Sequence, residues 1–314
     1  MGFQQGFRIN TNTASLNTYR SYAASQAGME QNIERLSSGL RINKASDDAA
    51  GLAISDRMDN QIRGMQQANR NVQQGNNLLQ TAEGAMNEVG NILGRMRELA
   101  VQSASDTVSG DDRDSIDLEF EQLKSEIDRI AKGTSYNGMG LIDGSQDGLN
   151  ADQSAAETGE KITLQVGADN NTQDQLSFNL ADFRVTTDGS TATTKFAGVQ
   201  LTDGASSPNN KNFQDLDLDT AATSQWAISA LDQAIEAVND QRATVGALQN
   251  RLEFTSSNLM GSIQNNSASV STIRDADFAA EAADLAKNQI LVQSGTSMLA
   301  QANGLSQNVL ALIR

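Results

Sequence analysis

Residues 65–100 read MQQANRNVQQGNNLLQTAEGAMNEVGNILGRMRELA, and one face of this stretch decides the architecture. Small or apolar residues recur at Met65, Ala68, Val72, Gly75, Leu79, Ala82, Met86, Val89, Leu93, Met96 and Ala100, stepping by three and four without a slip. Those steps give a period of about 3.5 residues, the repeat that holds one seam of a helix against a partner over many turns. At about 1.5 Å per residue the predicted rod is roughly 50 Å long. Proline would interrupt it, and the chain has a single one, Pro208.

The pattern recurs on both sides of this rod. Ile116, Phe120, Leu123, Ile127 and Ile130 predict a shorter helix behind it. In the second half, Ile228, Leu231, Ile235, Val238, Val245, Leu252, Leu259 and Ile263 lie on one seam that Val270 and Ile273 continue. Arg242, Gln249, Ser256 and Asn266 fill the skipped positions, where polar groups weaken packing but fix register between partners. Between about Asp143 and Thr220 the composition shifts to Asp, Thr, Ser, Asn and Gly. There the alternation in Ile162–Val166, Leu176–Leu180 and, less cleanly, Lys195–Leu201 predicts short half-buried strands. Asn137-Gly138 and Asp188-Gly189 read as turns. The expected fold is therefore mainly α: an elongated, coiled-coil-like helical bundle built from N- and C-terminal segments, with a small β-rich insertion.

Composition supports thin helical layers and removes most chemistry. In 314 residues there are only 9 Phe, 3 Tyr and 1 Trp, too few aromatics for a thick globular core. The chain has no His and no Cys, which excludes disulfides, thiol nucleophiles, Cys/His metal sites and His-based dyads or triads. With 23 Lys and Arg against 39 Asp and Glu, the net charge is −16, which argues against a nucleic-acid partner. Residues 1–30 lack the basic and apolar regions of a secretory signal, and no run reaches the roughly 20 apolar residues of a membrane helix. Asp47 and Asp48 could suggest a carboxylate pair, but capping of the next helix by Asp47 or Ser46 is the expected role. No catalytic, cofactor-binding or metal-binding residue is expected.

The two ends share an unusual feature. From Asn288 to Ile313 there is no charged residue, and between Ile9 and Met29 the only charge is Arg20. Both segments stay amphipathic: Leu16, Tyr19, Ala23, Gln26, Ile33 and Leu40 make one broken heptad stripe, and Leu291, Gly295, Met298, Ala302, Leu305, Val309 and Leu312 make the other. A helix facing water normally carries charges on its solvent side. These stripes are expected to be covered by further copies of the chain, and to be weakly ordered tails where no neighbour covers them. A membrane-surface role fits less well, because such helices are usually rich in Lys and Arg.

Several ordered motifs then bring in a family. Phe7-Arg-Ile-Asn-Thr-Asn12, Leu36-Ser-Ser-Gly-Leu-Arg-Ile-Asn43 and Asp47-Asp-Ala-Ala-Gly-Leu-Ala-Ile-Ser55 resemble the N-terminal signature of bacterial flagellin. Ile273-Arg-Asp-Ala-Asp277, Ile290-Leu-Val-Gln293, Leu299-Ala-Gln-Ala-Asn303 and Val309-Leu-Ala-Leu-Ile-Arg314 resemble its C-terminal signature. The resemblance covers roughly residues 7–142 and 225–314. Two departures are the extended start Met1-Gly-Phe-Gln-Gln-Gly-Phe-Arg-Ile-Asn10 and Ser306, where the family commonly has Pro.

The resemblance implies a non-enzymatic helical filament subunit, exported unfolded through the flagellar type III channel and polymerised beneath a cap at the distal tip. It implies inner-tube segments at residues 1–45 and 274–314, wall segments at 46–142 and 225–273, and a reduced outer region at 143–224. Leu16, Tyr19, Ala23, Ile33, Leu40, Leu291, Met298, Ala302, Leu305, Val309 and Leu312 would pack inner helices between subunits. Met65, Val72, Leu79, Met86, Leu93, Ile235, Val245, Leu252 and Leu259 would form the wall seams. The C-terminal stripe resembles the segment bound by flagellar export chaperones, and the filament cap and hook-junction proteins are further implied partners.

Gly94–Gln102 resembles the segment read by the vertebrate Toll-like flagellin receptor, with Arg95, Leu99 and Glu119 at the matching contact positions. Gly94 departs from that pattern, since an amide side chain is usual there. Subunit packing is the primary role expected of these residues. The zinc protease found in some flagellins is excluded, because its His-Glu-x-x-His signature needs histidine. Asn170-Asn171-Thr172 and Asn265-Asn266-Ser267 match the N-glycosylation pattern, a weak signal in a bacterial chain, and O-linked sugars within 186–207 are equally open. A hook–filament junction protein with the same terminal helices is the nearest alternative, and a secreted helical binder that stays monomeric is a more distant one. The expected location is extracellular, on the bacterial flagellum.

Overall fold

The structure is a computed structural model that describes residues 12–144, 162–185, 213 and 216–312, with Ala14 and 305–312 described by backbone alone. Five helices dominate: α1 Thr13–Ser38, α2 Ala49–Ser103, α3 Gly110–Gly133, α4 Ala221–Arg274 and α5 Phe278–Leu312. Between α3 and α4 lie two antiparallel hairpins, β1 Ser135–Tyr136 with β2 Met139–Gly140, and β3 Ile162–Gln165 with β4 Gln175–Phe178. The chain divides into two compact units. Residues up to Ile62 and from Ile263 onward form one, and Arg63–Ser262 form the other. The long helices α2 and α4 contribute to both.

In the larger unit, every residue of the stripe that opens at Met65 is buried through to Ala100. Leu79, Met86, Leu93 and Met96 are wholly excluded from solvent. Helix α4 runs antiparallel to α2 and meets it with Leu231, Val238, Val245, Leu252 and Leu259. Its buried face also carries Ala227, Ala230, Ala234 and Ala237, so small residues bring the backbones close where the sequence drew attention to Ile228 and Ile235. Those two isoleucines lie at the margin of the seam, half-buried.

Two of the four polar residues expected in the seam, Gln249 and Ser256, have polar partners across it. Gln249 donates to Glu83 Oε2 (2.9 Å), and Ser256 donates to Asn69 Oδ1 (2.7 Å). Each pair is satisfied in one longitudinal register, and sliding by one turn would separate both.

Helix α3 returns along the bundle with Ile116, Phe120 and Ile127 buried. Ser109 caps its start, accepting from Asp112 N, with Asp111 and Asp112 beside the exposed N–H groups of the first turn. The segment 216–218 is seated by three side chains. Lys124 Nζ donates to the Leu216 carbonyl (2.8 Å), Asp117 accepts from Leu218 N (2.9 Å), and Ser103 donates to the Leu218 carbonyl (2.9 Å).

The insertion begins with the Asn137-Gly138 turn, whose residues have φ of 53° and 80°, the positive values a two-residue hairpin loop of type I′ requires. Strands β3 and β4 correspond to the predicted runs at Ile162 and Leu176. Ile162 pairs with Phe178, both buried, and Leu164 pairs with Leu176. Leu164 seats over Gly75 of α2, where an added Cβ would come within 2.3 Å of its Cδ1. The run Lys195–Leu201 and the turn Asp188-Gly189 lie outside the described residues.

Candidate assembly surfaces

The smaller unit is built around a hairpin of α1 and α5. Asn12 starts α1 by accepting from Ser15 N, and Gly39 ends it in the left-handed conformation (φ 73°) with its N–H on the Arg35 carbonyl. Asn12 Nδ2 donates to the Ala302 carbonyl (3.0 Å), and Ser15 Oγ donates to Asn303 Oδ1 (3.1 Å). Farther along, Tyr22 covers Gly295, Gly28 faces Asn288, and Arg35 pairs with Glu281 at 2.9 Å. Numbers rise on one helix as they fall on the other, so the two run antiparallel. The seam residues of α1 are Ser15, Thr18, Tyr22, Ser25, Met29, Asn32 and Leu36, again at heptad spacing.

That seam is not the apolar stripe read from the sequence. Leu16, Tyr19, Ala23 and Ile33 lie beside it and are exposed, Leu16 at 53% and Tyr19 at 60%. On α5, Leu291 (44%) and Met298 (58%) are likewise exposed, whereas Gly295 and Ala302 sit within the hairpin seam. Leu305, Val309 and Leu312 continue in helix, their side chains outside the described atoms. The hairpin therefore mixes small and polar groups with Tyr22, Met29, Leu36, Val292 and Leu299 between its helices, and presents a second set of large apolar side chains outward. On α1 a periodicity weighted by hydrophobicity found the outward stripe, and on α5 it joined outward Leu291 and Met298 to inward Gly295 and Ala302. The inward stripe of α1 has the same period displaced by a single residue, and it alternates Ser15, Thr18, Ser25 and Asn32 with Tyr22, Met29 and Leu36.

The connectors that close the hairpin are tied to each other. Leu40, half-buried, bridges Asp275; Arg41 N donates to the Arg274 carbonyl (2.7 Å) and Ala276 N to the Gly39 carbonyl (3.0 Å). The Arg41 guanidinium donates to the carbonyls of Thr272 and Ile273, a cation placed where the α4 dipole is negative. Arg274 lies 3.3 Å from Asp59 and 3.5 Å from Asp56 on α2.

The cap of α2 corrects the expectation of Asp47 or Ser46. Asp48 Oδ1 accepts from Ala50 N and Gly51 N (3.0 and 2.9 Å) and is the residue that starts the helix. Asp47 faces the other way and accepts from Asn43 N and Lys44 N, which holds its carboxyl below the usual carboxylate range. Both aspartates are thus engaged with backbone N–H groups.

In the larger unit, Arg95 donates two hydrogen bonds to Glu119 and a third to Glu98, and this ion-paired group is at the surface. Leu99, grouped with Arg95 and Glu119 in the sequence reading, is only 2% exposed and offers a docking protein no surface. Met65, Val72, Leu79, Met86, Leu93, Val245, Leu252 and Leu259 are buried in the bundle of a single chain, and Ile235 is half-buried.

This is a mainly helical protein whose terminal hairpin presents large apolar side chains outward, the architecture of a subunit that associates with others. Residues 9–147 match the bacterial flagellin N-terminal helical region, and residues 228–313 match the C-terminal helical region. The chain belongs to the bacterial flagellin family, which is structural rather than enzymatic. It is 43% identical to a flagellin of Bacillus subtilis over 98% of this chain and 100% of that one. It is 41% identical to the flagellar filament 33 kDa core protein of Treponema phagedenis over 98% of this chain and 99% of that one. A hook-associated protein structure from Vibrio parahaemolyticus shares the fold at 16% identity and a TM-score of 0.51, covering 73% of this chain and 98% of that chain. Among the described residues, no helix is long and apolar enough to cross a membrane.

Proposed function

We infer that this chain is the structural subunit of a bacterial flagellar filament and polymerises with copies of itself. The observation that carries the reading is identity along nearly the full length of flagellins, joined to a terminal hairpin whose large apolar residues face outward. Burying each such side chain stabilises by about 1.5–3 kcal/mol, so repetition along a polymer supplies a driving force that one copy lacks. Residues 1–45 and 274–314 form the inner tube of this filament, 46–142 and 225–273 its wall, and 143–224 a small outer region. Leu16, Tyr19, Ala23, Ile33, Leu291 and Met298 pack between inner helices of neighbouring subunits.

The subunit is exported unfolded, and before assembly the same C-terminal stripe is covered by an export chaperone. The two uses exclude one another. Growth occurs outside the cell, beneath a cap and on hook-junction proteins. Recognition by a Toll-like receptor is proposed for the Arg95–Glu119 edge alone, since Leu99 is buried.

The fold does not separate a filament subunit from a hook-associated adaptor, because a protein of the second kind shares it. Sequence does separate them, in favour of the filament. The test is expression in a swimming bacterium deleted for its own flagellin. Filaments of micrometre length and restored swimming are expected, whereas short stubs would mark an adaptor.

A further inference from the structure

The dipeptide Asn-Gly occurs at two places in the chain, Asn137-Gly138 and Asn303-Gly304. Both asparagines are exposed, so access to water does not separate them. The backbone does. We propose that Asn137 is a site of spontaneous deamidation in the folded chain, and that helix α5 spares Asn303.

The reaction closes a five-membered ring. Gly138 N forms a bond to Asn137 Cγ, the Cγ–Nδ2 bond breaks, and Nδ2 leaves as ammonia with the proton of the Gly138 N–H. Water then opens the succinimide at the side-chain carbonyl to give aspartate, or at the main-chain carbonyl to give isoaspartate. Ring closure needs the asparagine Cβ and the next nitrogen on the same side of the Cα–C bond. For an L residue that is ψ of about −120°, the value at the first central position of a type II′ turn.

Asn137 starts at φ 53° in the type I′ turn. Rotating the one peptide between Asn137 and Gly138 converts type I′ into type II′, the other two-residue hairpin turn, and keeps the strands in register. Gly138 takes either sign of φ, so the strain of the rotated turn falls on Asn137 alone. This peptide forms no hydrogen bond with any described residue, so none is broken. At Asn303 the same rotation would occur inside a helix of 35 residues. It would break the bond from Gly304 N–H to the carbonyl four residues back and displace the Asn303 carbonyl from its own partner. Asn303 Oδ1 is also held by Ser15 Oγ at 3.1 Å.

The two products differ in consequence. Aspartate before glycine suits the same turn. Isoaspartate places Cβ in the main chain, lengthens the loop and disrupts the pairing of Ser135 with Gly140 and Tyr136 with Met139. Just beyond, Leu141 N donates to the Thr134 carbonyl (3.1 Å), and Leu141 and Ile142 are wholly buried, so isoaspartate loosens the exit from α3.

The test holds the full-length chain in mildly alkaline buffer, with a parallel sample in concentrated urea, and follows both by peptide digestion and mass spectrometry. Circular dichroism confirms that helix content is unchanged in the folded sample. There the peptide carrying Asn137 should gain one mass unit about tenfold faster, or more, than the peptide carrying Asn303, because only the latter waits on local unfolding. An isoaspartyl methyltransferase should label the Asn137 peptide. In urea the two should react at similar rates. Asn137 left intact in the folded sample while it reacts in urea would overturn the proposal, as would a folded-state rate at Asn303 equal to or above that at Asn137.

Discussion

Asp48 is the residue on which the start of α2 depends, because its carboxylate takes two of the N–H groups that the first turn leaves free. Asp48→Ala should lower stability of the smaller unit by about 1 kcal/mol, while Ser46→Ala should leave it unchanged; thermal unfolding followed by circular dichroism checks both. Asp47 gives a pH dependence whose sign is fixed. Its carboxyl is held below the usual range by the Asn43 and Lys44 N–H groups. The contribution is therefore complete above the ordinary carboxylate value and is lost as pH falls through the lower folded one. Amide exchange at Asn43 and Lys44 should accelerate in that acid window, and Asp47→Asn should remove the acid-dependent step. Asp219 behaves oppositely: burial, then Asp117, Asp217 and Asp114, push its carboxyl up. Its charge opposes folding at neutral pH, so Asp219→Asn should raise the melting temperature there and lose that advantage in acid.

At the scale of elements, the larger unit depends on one continuous seam. Leu79→Ala, at a position with no solvent exposure, should cost about 2–5 kcal/mol in chemical denaturation. Lys124→Met should cost about 1–3 kcal/mol, because the Leu216 carbonyl would lose its buried donor. The seam from Met65 to Ala100 was legible in the sequence because large apolar residues mark the buried face themselves. The alanines of α4 were less so, since a small residue scores weakly although it permits the closest approach. In α1 the same weighting found the outward face, because Ser15, Thr18 and Asn32 dilute the apolar signal that Tyr22, Met29 and Leu36 give the inward one. The role of Asp48 rather than Asp47 was also hidden, since adjacent acids have equal capping propensity and only the chain path decides which meets the helix. Leu99 shows the converse limit: a residue can match a family's surface motif by position and still be buried here.

For the whole molecule, fold and function separate at the ends. The larger unit buries its own apolar seam within one chain, whereas the hairpin leaves Leu16, Tyr19, Ile290, Leu291 and Met298 outside. Removing residues 291–314 should therefore leave the helices of the larger unit folded, with a cooperative transition near that of the intact chain, and abolish polymerisation. Leu305→Asp should act in the same direction, because assembly would bury a charge without a partner. The most direct measurement of the central claim is negative-stain electron microscopy of the purified full-length chain after adding sheared filament fragments as seeds. Long tubes of uniform diameter, absent for the chain lacking residues 291–314, are the predicted result. A full-length chain that stays soluble in the presence of active seeds, or normal tubes from the truncated one, would contradict the account.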